Sequence, residues 1–162
     1  MTRSCDTSVP LEKRIEAINQ KIKADLLISI HANSAASCRA SGIETFCLRP
    51  SLFTTAQRVH DSKCRIVINK CREIQYKKSE HLAKLIQNIT VAAAKKVNPA
   101  VISRGVKFAV ARMLLGIDFP GALIEVGFVT HEQEASLLKT DAYQSVIARG
   151  ICTGILSYFK NS

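Results

Sequence analysis

The run Ala24-Asp25-Leu26-Leu27-Ile28-Ser29-Ile30-His31-Ala32-Asn33-Ser34 sets the architecture of everything around it. Its core, Leu26 to Ile30, is apolar apart from Ser29 and too short for a stable helix of its own. Closed by small and polar residues, such a run reads as a buried strand of a parallel sheet, covered on both faces. The chain must turn just after His31. In open α/β sheets ligands collect beyond the carboxyl ends of the strands, which puts His31 at a functional position. Imidazole is also the commonest metal ligand and an acid or base near neutral pH. The plainer alternative is a strand-end histidine bonded to a backbone carbonyl, and this segment alone leans that way.

A second run shifts the balance. Pro120-Gly121-Ala122-Leu123-Ile124-Glu125-Val126-Gly127-Phe128-Val129 is again strand-like, with one carboxylate embedded in it. A buried carboxylate must be paired, bound to metal or protonated with a raised pKa. It is then either half of an internal ion pair or a general base working near neutral pH. Two parallel strands, one ending in His31 and one carrying Glu125, would assemble a site.

The surrounding segments supply the layers. Residues 7–23 read as a helix, with Pro10 in its first turn and Thr7 or Ser8 as cap. Leu11, Ile15, Ile18 and Ile22 make one apolar stripe on it. Gly42 to Leu48 alternates as a strand, with Glu44 near its start; a plain strand-end position is expected for it, with metal or substrate binding as the alternative. Residues 50–78 carry a basic excess and read as a surface insertion or helix, with a lid as one use. Ser79 is expected to cap a helix through Lys96 that Asn98-Pro99 stops. Arg104 to Lys107 reads as a turn into an extended segment, Phe108 to Leu115. Arg104 and Lys107 are candidates for contacting substrate carboxylates, since the guanidinium fork suits bidentate recognition. A short helix is expected over His131–Lys139. Asp141 is expected to cap the last helix, with Gly150 and Gly154 allowing close approach to the sheet. Strands alternating with helices predict an α/β fold: one domain over 1–162, a mostly parallel sheet with helices packed on both faces.

Composition excludes several classes. At 162 residues, 47% apolar and 22% charged, the chain has the makeup of a soluble globular domain. No segment approaches the ~20 consecutive apolar residues of a membrane span. The first 23 residues hold no apolar signal-peptide core. A net charge of +10 suits a polyanion. Nucleic acid is not the expected partner, because tryptophan is absent and no basic run is interleaved with stacking residues. Cys5, Cys38, Cys47, Cys64, Cys71 and Cys152 form no C-x-x-C pair, so free thiols are expected.

The motifs "ADLLISIHANS", "GIETF", "RGVK" and "ALIEVGFVTHEQEASLL", in that order, resemble the catalytic domain of zinc-dependent N-acetylmuramoyl-L-alanine amidases. The likeness runs over nearly the whole chain and is weakest between Leu48 and Lys78. It implies cleavage of the amide between N-acetylmuramic acid and the L-alanine of the peptidoglycan stem peptide. It implies zinc (Zn2+) as cofactor, with His31 as a ligand and Glu125 as the carboxylate that activates the attacking water. It further implies peptidoglycan as partner and a periplasmic or cell-envelope location; a monomer is expected. The family's other two ligands, a His in a "GHGG" turn after the first strand and a downstream Glu, have no counterpart here. Met1-Thr2-Arg3 matches a point beyond both, so the chain reads as N-terminally incomplete relative to the family. His60, His81, His131 and the cysteines occupy no matching strand end. A non-catalytic wall-binding relative, or an inactive truncated product, is the competing expectation.

Overall fold

A computed structural model describes residues 2, 5–20, 24–48, 62–115 and 117–160. In chain order the elements are α1 (Leu11–Gln20), β1 (Leu27–Asn33), β2 (Ile43–Cys47), α2 (Ser62–Lys95), β3 (Ser103–Phe108), α3 (Arg112–Leu115), β4 (Gly121–Phe128), α4 (Glu132–Leu138) and α5 (Asp141–Lys160). The strands form one sheet in the order β1-β4-β2-β3. β1 runs parallel to β4 and β2 parallel to β3, while β2 and β4 are antiparallel. The fold is therefore α/β with a mostly parallel sheet, as the alternation of elements predicts.

Alternation along the strands sorts the side chains onto two faces. Ala122, Ile124 and Val126 of β4, with Ile43 and Cys47 of β2, pack against Leu82 and Ile86 of α2 and Ile147 and Ile151 of α5. On the opposite face Leu27 of β1 and Leu123 of β4 meet Ile18 of α1 and Leu114 of α3. Helices thus cover both faces, with the thicker layer over the first.

Several boundaries differ from the sequence expectation. β1 is an edge strand rather than a buried one: His31 lies within it, exposed, and Ile30 is 58% exposed. The helix expected to start at Ser79 instead starts at Ser62, because nothing between them breaks a helix. Ser79 sits buried in mid-helix and its hydroxyl accepts from the Gly121 amide at 3.1 Å. The basic stretch is thus partly an exposed helix surface, laced by a Lys77–Glu73 pair at 2.9 Å, while Arg58 and His60 lie outside the described residues. The expected turn at 104–107 is the strand β3, and the expected extended segment 108–115 holds the short α3. Gly105, at φ 75°, absorbs a register shift against β2, so the glycine serves a bulge and not a turn.

The helix starts were also misplaced. α1 begins at Leu11, past Thr7 and Ser8; of its stripe only Ile18 is buried, and Ile22 lies outside the described residues. α5 is capped by Thr140, whose Oγ1 accepts from the Tyr143 amide at 3.3 Å, while Asp141 is its first-turn acid. Gly150 and Gly154 bring α5 close to α2 rather than to the sheet. A Cβ at Gly150 would lie 2.8 Å from the Thr90 Cα, and one at Gly154 2.9 Å from the Ile86 Cα.

Candidate functional site

One transverse row of the sheet carries the titratable groups. His31 on β1 is the register partner of Glu125 on β4, and Glu125 is the partner of Glu44 on β2. Register partners point to the same face of a sheet. The three side chains therefore project together, on the face that carries Leu27 and Leu123. The row ends on β3 at Gly105.

The three groups are held in different states. Glu44 is buried, 3% exposed, and three side chains donate to its carboxylate. Asn33 donates to Oε1 at 2.8 Å, while Arg104 donates through Nε to Oε2 at 2.7 Å and Lys107 donates to the same oxygen. Burial pushes the Glu44 pKa up, but hydrogen bonds and charge from Lys107 and Arg104 outweigh it, and the net shift is downward. Glu125 is the reverse case. Its Oε2 is buried with no hydrogen-bond partner among the described residues. Burial raises its pKa, His31 pulls the other way, and the negative Glu44 adds to the rise. His31 rests on the strand's own Ser29, Nε2 to Oγ at 2.9 Å.

Other candidates fall elsewhere. His81 packs its ring 5.9 Å from Tyr158 of α5, and His131 caps α4 by accepting from the Glu134 amide at 3.4 Å. Arg104 stands beside the row, with its guanidinium carbon 5.0 Å from the centre of the Phe128 ring. Sequence reasoning missed two carboxylate roles. For Glu44 the sequence favours a plain strand-end position over binding metal or substrate, although its place in an alternating strand is a signal that it could be buried. Glu134 is a buried staple, accepting from the Gly42 amide at 2.7 Å and the Phe128 amide at 2.8 Å. It ties the start of β2 to the end of β4, next to the row.

A zinc ion at this row can be tested against its donors. The orphaned Glu125 oxygen beside an imidazole is the kind of pair that a cation or an ordered water satisfies. Catalytic zinc, however, holds three protein ligands and leaves the fourth position open. Among the described residues no group of three His, Cys, Asp or Glu side chains converges to hold a metal. The described donors do not complete a zinc site.

Known proteins resemble this chain closely enough to place it. Residues 1–157 match the family described as N-acetylmuramoyl-L-alanine amidase. The N-acetylmuramoyl-L-alanine amidase AmiA of Escherichia coli K12 is 32% identical over 177 residues, covering 98% of this chain and 60% of AmiA. The germination-specific N-acetylmuramoyl-L-alanine amidase of Bacillus subtilis 168 is 29% identical, with 98% and 60% covered. The crystal structure of an N-acetylmuramoyl-L-alanine amidase from Clostridium difficile 630 superposes with a TM-score of 0.74 at 29% identity, over 98% of this chain and 69% of that one. The chain spans about 60% of the length of the first curated relatives it matches.

Proposed function

This chain belongs to the N-acetylmuramoyl-L-alanine amidase family, and on that footing we propose that it hydrolyses the amide joining N-acetylmuramic acid to the L-alanine of the peptidoglycan stem peptide. Residues 1–162 are one such catalytic domain, acting in the cell envelope. The observation that carries this reading is the register of His31 with Glu125, together with the unpartnered, buried Glu125 oxygen. A carboxylate whose proton affinity is raised is suited to proton transfer near neutral pH. In this role Glu125 takes a proton from the attacking water and hands it to the departing L-alanine nitrogen. The water oxygen bonds to the lactyl carbonyl carbon as the C–N bond breaks, so the products are a muramic carboxylate and a free peptide amine. The net charge of +10 favours contact with a wall polymer that carries free carboxylates. Zinc is the cofactor assigned through the family, with His31 as one of its ligands. No helix among the described residues is long and apolar enough to cross a membrane.

One observation favours a second reading. The donor set around His31 is short of three ligands among the described residues, as a wall-binding relative without catalysis would have it. Incubation with purified muropeptides and added zinc, followed by mass spectrometry of released stem peptide, separates the two. Glu125→Gln is expected to slow release on the order of a hundredfold or more while keeping the far-UV spectrum. Near-normal release by a folded Gln variant would remove Glu125 from its role. Binding of muropeptide by the wild-type chain with no cleavage would establish the wall-binding reading.

A further inference from the structure

Glu44 has one cation more than it needs. A buried carboxylate is balanced by a single opposite charge, and Asn33 already serves its other oxygen. Yet both Arg104 and Lys107 converge on Oε2. The trio therefore keeps a surplus positive charge, and it sits beside Glu125 in the same transverse row.

The two cations are fixed in place but still open. Arg104 is held by Glu44 through Nε, reaches the Ser41 carbonyl through Nη1 at 3.4 Å and stacks near Phe128. Lys107 lies 6.0 Å from the centre of the Phe46 ring. Their side chains remain 34% and 40% exposed. Gly105 lies between them on β3, and a Cβ built there would meet no atom within 4 Å. Donors on both cations are thus left over beside open space.

We propose that Glu44 holds Arg104 and Lys107 as a cradle that binds a carboxylate of the stem peptide while the scissile amide lies at Glu125. The inference rests on the amidase reading and adds to it a specificity-determining subsite: a preference for a free carboxylate on the residue after L-alanine. Glu44 is the positioning residue, and the surplus charge is the recognition element. A guanidinium and an ammonium held side by side on Glu44, each with donors to spare, suit a second carboxylate, because charge-assisted hydrogen bonds gain most from donors that need little rearrangement.

The test uses two synthetic muropeptides identical except that the residue after L-alanine is glutamate in one and glutamine in the other. Calorimetric titration into the full chain carrying Glu125→Gln, which slows turnover, measures both affinities. The glutamate form is expected to bind about tenfold tighter, the scale of one charge-assisted hydrogen bond. Lys107→Met removes the surplus charge and should bring the ratio toward one, whereas Arg104→Lys keeps that charge, and with it the fold, and should retain most of the preference. Equal affinity for the two peptides in the parent, or an unchanged ratio in Lys107→Met, overturns the cradle and leaves the amidase reading standing. Binding of neither peptide overturns both.

Discussion

At the scale of the residue, Glu125 and Glu44 show what one sheet row does to two carboxylates. Both are withdrawn from water, but Glu44 meets two cations and Glu125 meets none that outweighs its burial. Linkage turns this into a pH dependence. A carboxyl whose folded pKa is raised binds its proton more tightly folded than unfolded, so stability falls as pH climbs from the ordinary value of 4.5 through the folded value. Glu125→Gln removes that fall. The variant is expected to melt higher than wild type at neutral pH, with the gap closing at pH 4.5. Calorimetry at the two pH values checks this, and a gap independent of pH would mean that Glu125 titrates normally. A group recruited for proton transfer would then carry no cost in stability, contrary to the reading above.

At the scale of the element, the crossing of α2 and α5 is set by two glycines. Gly150 and Gly154 face Thr90 and Ile86 so closely that any Cβ would press on backbone atoms, which cannot step aside as a long side chain can. Gly154→Ala gains helix propensity, worth up to ~1 kcal/mol. Separating the helices is expected to cost more, ~1–3 kcal/mol, so the net change is destabilising. Thermal unfolding followed by circular dichroism measures it, and a variant that melts at or above the wild-type temperature would show that the helices part freely. The same crossing holds Gln87 of α2 against β2, where it accepts from Thr45 at 2.8 Å and donates to the Ile43 carbonyl at 2.8 Å. Loosening it is felt one residue from Glu44.

At the scale of the molecule, the free side of β1 is the exposed part of the design. Among the described residues the strand pairs with β4 alone, and α1 covers only the face that carries Leu27. Ile30, which register puts on the opposite face with Ile124, leaves an apolar side chain 58% exposed beside an edge whose amides and carbonyls can pair with another strand. Association through this edge is expected as concentration rises, even though the domain is expected to work as a monomer. Ile30→Lys places a charge on the edge and should shift the chain toward monomer in sedimentation, with the melting temperature little changed. A wild-type chain that stays monomeric over the same range would show that α1 and the loops guard the edge well enough.

Much of this was decided locally. Apolar runs closed by polar residues were sufficient to locate β1 and β4, and helical spacing located α4 and α5. The motif order around His31 and Glu125 carried the family. Three-dimensional packing decided the remainder. His31, Glu125 and Glu44 lie far apart in the chain, and their meeting in one row depends on strand order and register, which no local pattern encodes. Ser79 looks like a cap in isolation, yet it sits inside a long helix because the residues before it tolerate the helix and its hydroxyl meets the Gly121 amide. Glu44 could be a solvated strand-end residue by sequence; only the convergence of Asn33, Arg104 and Lys107 makes its burial affordable. Periodicity is a short-range property of the chain, whereas the electrostatic state of a carboxylate depends on whatever the fold brings within hydrogen-bond reach of it.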